Sequence, residues 1–351
     1  MTGPDSAWPT SGELRGPRNP FSSSIGSNNM RMQIIISAFL ALITAGHVLA
    51  ETDDRKIRIG MLAFGTLNWE LAVIQEEGLD KAQGITMETT PLASSEAGKV
   101  ALQGGSVDLI VSDWIWVANQ RSRGTDVTFL PYSSNHGALV VPADSPIRTV
   151  GDLEGKRLGI AGGGLDKNWL LLRALAQRHY KLDLEQSTNQ VFGAPPLLNL
   201  QLQQGKLDAV LNYWNFAAKL EAQAYRRVTD GRGILQGLGI SADLPSLGYV
   251  FRERWANSHE DVLSGFLKAA DTAKKSICES DAVWRKVVPL TRETDERVQG
   301  SLRRHYCEGR VRIWGEGEKK AAAAIYELLH LAGEGRLTGK SGKLPNGVFW
   351  R

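Results

Sequence analysis

From residue 56 onward two hydrophobic periods alternate along the chain. Ile57 and Ile59 alternate with basic residues over 56–62, the period of a strand, whereas Leu71, Ala72, Val73 and Ile74 mark the inward side of a helix over 69–77. The same signals predict strands at 85–89, 107–111, 127–130 and 138–141. Ser94 and Ser95 offer a cap for a helix that Gly104 and Gly105 stop, and 114–120 resumes helical spacing. Pro142 and Pro146 bracket a turn-rich crossing, read as a boundary between two lobes. Beyond it, strands are predicted at 157–160, 190–192 and 208–211, with helices at 166–178 and 195–204. After a strand at 248–251 the pattern is helical over 259–270, 298–306 and 319–331, and the Gly-rich tail 334–351 is expected to loop over the surface. Strand and helix alternating in this way argue for α/β lobes built on mostly parallel sheets.

One pattern occurs twice. Residues 102–114 read LQGGSVDLIVSDW and residues 202–214 read LQQGKLDAVLNYW, so Leu102/Leu202, Gln103/Gln203, Gly105/Gly205, Asp108/Asp208 and Trp114/Trp214 recur at an offset of one hundred. Each copy is a helix closed by Gly, then a short strand that delivers a polar residue and a Trp at its carboxyl end. Ligands of open α/β sheets sit off those carboxyl ends, which predicts two lobes presenting matched loops across one cleft. The competing reading is chance, since helix-Gly-strand is common in α/β chains. Asp108 and Asp208 fall at the far ends of their strands and are read as turn residues that accept backbone N–H bonds.

The amino terminus bears on the compartment. Arg31 precedes an apolar run over 34–43, and small or aliphatic residues at 48–50 precede the acidic Glu51, the layout of a signal peptide (30–50) cleaved after Ala50. That run is shorter than the ~20 apolar residues of a membrane span. Residues 1–29 are Pro-, Gly- and Ser-rich and read as disordered or as a start codon placed too early. Residues 51–351 carry 38 Lys and Arg against 36 Asp and Glu, with no basic stripe interleaved with aromatics, so nucleic acid is not an expected partner. The two cysteines, Cys278 and Cys307, are expected to pair as a disulfide in an oxidising compartment, the alternative being two separate thiols.

Three stretches, GKVALQGGSVDLIVSDW, VTFLPYSSNHGALVVPADSPIRTVGDLEGKRLGIAGGG and GAPPLLNLQLQQGKLDAVLNYW, resemble the periplasmic solute-binding proteins of ABC importers. The likeness is to the nitrate/sulfonate/taurine class and its thiamine-precursor-binding relatives. It covers most of 56–255 and is most specific over Asp144 to Ile160. It implies an α/β, two-lobed type II periplasmic-binding-protein fold with a cleft between the lobes: lobe one at 56–141 plus 243–351, lobe two at 142–242. It further implies an exported, monomeric protein that passes a small-molecule ligand to an ABC permease at the inner membrane, without a cofactor.

A cleft off the strand ends draws on six loops. The candidate ligand-binding residues are Thr66, Asn68 and Trp69 in the first; Ser95 in the second; and Ser112, Asp113 and Trp114 in the third. Asn135 and His136, then Gly164, Asp166 and Lys167, then Asn212, Tyr213 and Trp214 complete the set. Helix amino termini in these loops favour anions such as sulfonate or nitrate. Trp69, Trp114, Trp169 and Trp214 with Glu70, Asp113 and Asp166 alongside favour an amine or nitrogen heterocycle instead. About half of those rings are expected to be core, and a lone His such as His136 is more often structural. Arg121, Arg123, Arg226 and Arg227 read as solvated surface. The alternative function is an enzyme on the same scaffold, a small-molecule lyase or dehydratase with Glu70 and Asp113 as an acid–base pair, or a ligand-sensing accessory protein. No His-Glu-x-x-His, zinc-spaced Cys pair or Gly-x-Ser-x-Gly pattern occurs, so no catalytic residue and no metal ligand is assigned.

Overall fold

The computed structural model describes residues 55–240, 244–332, 335, 338 and 341–351. The expected signal peptide and its cleavage point lie outside the described residues. The strands are β1 (Lys56–Leu62), β2 (Thr86–Leu92), β3 (Leu109–Ser112), β4 (Val127–Ser133), β5 (Ala138–Val141), β6 (Arg157–Ala161), β7 (Asn189–Gly193), β8 (Ala209–Asn212), β9 (Arg226–Asp230) and β10 (Leu247–Arg252). They form two five-stranded sheets with orders β2-β1-β3-β10-β4 and β7-β6-β8-β5-β9. The two orders are equivalent. β1 pairs in parallel with β2 and β3, as β6 does with β7 and β8. Each sheet then receives one antiparallel strand from a chain crossing: β10 between β3 and β4, and β5 between β8 and β9.

This equivalence explains the sequence repeat. Helices Ser95–Gln103 and Pro195–Gln203 precede β3 and β8, and helices Trp114–Ser122 and Trp214–Ala222 follow them, all at the same offset. Leu102 and Leu202 are buried in both copies. Gly105 and Gly205 take φ of 75° and 68°, where a side chain would strain the turn. Asp108 accepts from the Arg58 backbone N at 2.9 Å and from its guanidinium at 2.9 and 2.5 Å. Asp208 repeats the arrangement on Arg157 at 2.8, 3.0 and 2.6 Å. Both aspartates therefore clamp the start of the neighbouring strand, which is a structural duty.

The chain changes sheets earlier than the prolines suggest. β5 belongs to the second sheet, so the first crossing lies in residues 134–137, not at Pro142. Asn135 anchors this crossing: its side chain donates to the His305 carbonyl at 3.0 Å, and its own carbonyl accepts from Ser246 Oγ at 2.6 Å. A Cβ on Gly309 would stand 2.2 Å from the Asn135 side chain, so glycine is required there.

The carboxyl-terminal third holds the halves together in ways the helical periodicity does not reveal. Helix Glu316–Ala332, expected with the first lobe, buries Ala322, Ile325, Tyr326 and Leu329 in the same core cluster as Leu170, Leu171 and Leu172 of helix Lys167–Tyr180. The tail is not a surface loop throughout. Phe129 N donates to the Val348 carbonyl and Trp350 N to the Phe129 carbonyl, both at 2.8 Å, and Val348 is buried. Helices Gly231–Gly237, Glu253–Ser258 and Asp281–Thr291 and strand β9 were not expected from periodicity. Cys278 and Cys307 form a disulfide that ties helix Glu260–Glu279 to helix Glu296–Glu308. No helix among the described residues is long and apolar enough to cross a membrane.

Helix Glu296–Glu308 also packs on helix Trp214–Ala222 of the other half, where Ser301 Oγ donates to the Ala218 carbonyl at 3.1 Å. His305 Nε2 lies 3.5 Å from the Glu221 carboxylate and 3.0 Å from Arg227 Nη2, and its Nδ1 lies 2.9 Å from the Ser301 carbonyl. Arg227 in turn pairs with Glu221 and Asp230. Hydrogen bonding to Glu221 holds the His305 pKa above 6.5 against partial burial and the Arg227 charge. A raised histidine pKa means that this stabilisation is complete below the unfolded value and fades as pH rises through the folded one. The gap in unfolding temperature between the protein and His305→Gln should therefore narrow from about pH 6 to about pH 9. A gap that stays constant or widens contradicts the charged contact.

Candidate functional site

A cavity of about 390 Å³ lies between the carboxyl ends of the two sheets, inside the usual range for small-molecule sites. The first half contributes Phe64, Thr66, Ser95, Ser112, Asp113 and Trp116. From the second half come Leu165, Asp166, Lys167, Tyr213, Trp214 and Phe216. Asn135, Gly137 and Ser246, on the two crossings, close the floor.

Strand-to-helix turns place the polar residues. Asp113 ends β3 and caps helix Trp114–Ser122, its Oδ1 accepting from Trp116 N at 2.9 Å. Asp166 caps helix Lys167–Tyr180, accepting from Asn168 N at 2.8 Å and from its side-chain amide at 3.1 Å. Ser94 caps helix Ser95–Gln103 by accepting from Ala97 N at 3.1 Å. Helix amino termini do open on the cavity; at three of them a cap takes one backbone N–H, in two cases with a carboxylate, whereas helices Leu67–Glu76 and Trp214–Ala222 have no side-chain cap. Burial raises the Asp166 pKa above its ordinary value; Lys167 opposes this and the charge of Asp113 adds to it. The hydroxyl of Tyr213 is held well above its usual range by burial and then by Asp166, Glu96 and Asp113. Carboxylates from both halves thus act on one spot.

Flat apolar walls surround this polar end. Phe64 meets Phe216 edge-on at 6.3 Å between centroids, joining the halves across the cavity. Trp214 lines the cavity and backs on Trp69, again edge-on at 6.3 Å. Lys99 stands 5.7 Å over the Trp116 ring and 3.8 Å from Glu96.

Of the residues expected at the site, Thr66, Ser95, Ser112, Asp113, Asn135, Asp166, Lys167, Tyr213 and Trp214 line this cavity. The other six do not. Trp114 is buried at 2 % exposure and packs on Phe349. Trp69 sits behind the wall between Trp284 and Tyr306. Asn68 donates to the Leu62 carbonyl at 2.9 Å, shaping the first loop. Asn212 is buried, donating to Asn199 and to the Pro195 carbonyl. His136 packs on Gly231, and Gly164 falls outside the lining although Gly162 is part of it. Trp169, at 1 % exposure, is core.

Glu70 also moves to a structural role. It is fully buried outside the cavity, accepting from Tyr306 at 2.6 Å and Tyr249 at 3.1 Å, with Lys274 at 3.9 Å. The arginines read as surface are mostly ties: Arg121 to Glu253 and the Val127 carbonyl, Arg226 to the Ser145 and Ile147 carbonyls, and Arg227 to Glu221. Arg123 reaches the cavity rim. Phe64 and Leu165 fall within the loops expected to supply the cleft but outside the candidate set, which also lacks Phe216. Trp116 and Phe216 were detectable, being aromatics at the same hundred-residue offset. Among the described residues no group of three or more His, Cys, Asp or Glu could hold a metal ion.

Comparison with known proteins places this architecture. No curated protein matches the chain in sequence. The alkanesulfonate-binding protein of Xanthomonas axonopodis pv. citri, solved bound to MOPS, aligns with a TM-score of 0.66 at 18% identity, over 85% of this chain and 98% of that one. The periplasmic aliphatic sulphonate binding protein of Escherichia coli aligns with a TM-score of 0.66 at 19% identity, over 85% and 92%. The periplasmic nitrate-binding protein of Synechocystis PCC 6803 gives 0.56 at 11% identity, over 78% and 80%. These neighbours are described as binding proteins, and the fold they share with this chain is the two-lobed one with a cleft between lobes. The family model described as NMT1/THI5 like matches residues 70–280. With that match covering more than half of its length, the chain belongs to the NMT1/THI5-like family.

Proposed function

We propose that this protein is the solute-binding component of an ABC importer, and that its solute is a small organic cation with a flat apolar part. The observation that carries the choice of charge is the pair of capping carboxylates. Asp113 and Asp166 line the cavity from opposite halves, and each accepts from a backbone N–H of the helix it caps, so a carboxylate stands at both of these helix starts. Trp116, Trp214, Phe64 and Phe216 supply the flat surface. The anionic reading draws on Lys99, Lys167 and the neighbours described as sulfonate- and nitrate-binding. Lys99 is already paired with Glu96, which weakens it. Binding without turnover is the role this reading assigns, and the Glu70–Asp113 pair weighed for acid–base work is not assembled, since Glu70 lies outside the cavity. The protein acts in the periplasm as a monomer, delivered by the leader and handing its solute to an inner-membrane permease.

The test uses protein recovered from the periplasmic fraction, its amino terminus read by mass spectrometry for cleavage after Ala50. Calorimetric titration with matched amines, nitrogen heterocycles and sulfonates should find binding among the cations. Asp113→Asn and Asp166→Asn, which keep a capping side chain, should each weaken that binding by roughly ten- to a hundredfold, the worth of a charged hydrogen bond. Sulfonates binding more tightly than any cation, or unchanged affinity in both variants, would falsify this reading.

A further inference from the structure

We infer that the polar end of the cavity selects a cation bearing N–H donors, an ammonium or amidinium rather than a quaternary nitrogen, and that Tyr213 sets this selection. The inference rests on the cation reading above and narrows it.

The duplicated unit points to the residue. Position 113 holds an aspartate that caps its helix, whereas position 213 holds a tyrosine that makes no side-chain cap. The Tyr213 N–H is instead taken by Asn212 Oδ1 at 2.8 Å. One copy has thus given up a capping side chain and placed a phenol in the cavity. The backbone opposite has withdrawn to seat it. Gly162 has φ of 87°, and a Cβ there would stand 2.7 Å from both Asp166 Oδ2 and Tyr213 Oη. Only glycine lets these two oxygens share that space.

Four oxygen-bearing side chains gather there, with Lys167 and Lys99 also in the lining. Asp166 and Tyr213 come from one half, Asp113 from the other, and Glu96 stands at the wall. An ammonium can donate to several of these acceptors at once. A quaternary nitrogen offers only methyl groups, and it would desolvate the carboxylates and the phenol without replacing their hydrogen bonds.

Calorimetry with three probes of one shape tests this: phenethylammonium, phenethyltrimethylammonium and phenethylsulfonate. The ammonium should bind about tenfold more tightly than its trimethyl analogue, and Tyr213→Phe should remove most of that preference. Thermal unfolding of the variant should be nearly unchanged, because the hydroxyl caps nothing. If Tyr213→Phe does not fold, Asp166→Asn carries the same comparison. Equal or tighter binding of the trimethyl probe overturns the inference and leaves the cation reading standing, as does a preference kept intact in the variant. Binding of the sulfonate alone overturns both.

Discussion

Trp114→Ala should lower the unfolding free energy by about 3–5 kcal/mol and leave the affinity for a cationic probe nearly unchanged. The repeat by itself suggests the opposite, a binding variant of normal stability, because Trp114 and Trp214 occupy equivalent positions at the carboxyl ends of β3 and β8. Their surroundings differ. Trp114 is closed off by Phe349 of the carboxyl-terminal segment, inside the cluster that includes Phe129, Ile110 and Val250. Truncation there removes a large buried ring and leaves a void that such packing cannot fill. Trp214 lines the cavity, so its alanine variant should weaken probe binding instead. Denaturant unfolding and calorimetry on the same two preparations check the contrast. A loss under about 1.5 kcal/mol for Trp114→Ala, or weakened binding without lost stability, places that ring at the cavity after all.

Glu70→Ala is the second large effect, also about 3–5 kcal/mol, because it leaves a cation behind in the interior. Burial pushes the Glu70 carboxyl above its ordinary range, with Lys274 and then the Tyr306 hydrogen bond opposing the shift. Lys274 depends on the pair: burial lowers its pKa and Glu70 supports its charge. Its Nζ also donates to the Tyr132 carbonyl at 3.0 Å and stands 4.0 Å over the Tyr132 ring. Removing the carboxylate strips the acceptor from Tyr306 and Tyr249 at the same time. The double variant Glu70→Ala with Lys274→Met should recover part of the loss, since the unpaired charge goes with its partner. A double variant no better than the single one means that the tyrosine hydrogen bonds, not the stranded lysine, carry the cost.

How far the site was legible follows from what each residue does locally. Asp113, Asp166 and Ser94 lie in strand-to-helix turns, and capping is a local matter. That is why a candidate set drawn from those loops includes nine of the cavity-lining residues. The misses fall where the direction of a side chain decides. Trp114 turns into the core and Trp116 to the cavity, whereas the equivalent Trp214 and Phe216 both line it, and the sequence does not distinguish these outcomes. Phe64 opens one of the loops expected at the cleft, yet a lone aromatic in a loop carries no period that would single it out as a wall residue. The disulfide was suggested by an even count of cysteines, but its formation depended on two helices meeting side by side.

The sequence by itself determined the alternation of strand and helix, the doubling of a helix-strand-helix unit, and the turns that bring polar residues to strand ends. These are local properties, set by period, capping and glycine. Only the tertiary structure decided which sheet β5 joins, which aromatics of each repeat line the cavity, and that the carboxyl-terminal helix and tail bury themselves against both halves. Those outcomes depend on partners far along the chain, as β8 and β9 are from β5 and Phe349 is from Trp114. The physical reason is that an apolar side chain reads the same in sequence whichever neighbour covers it.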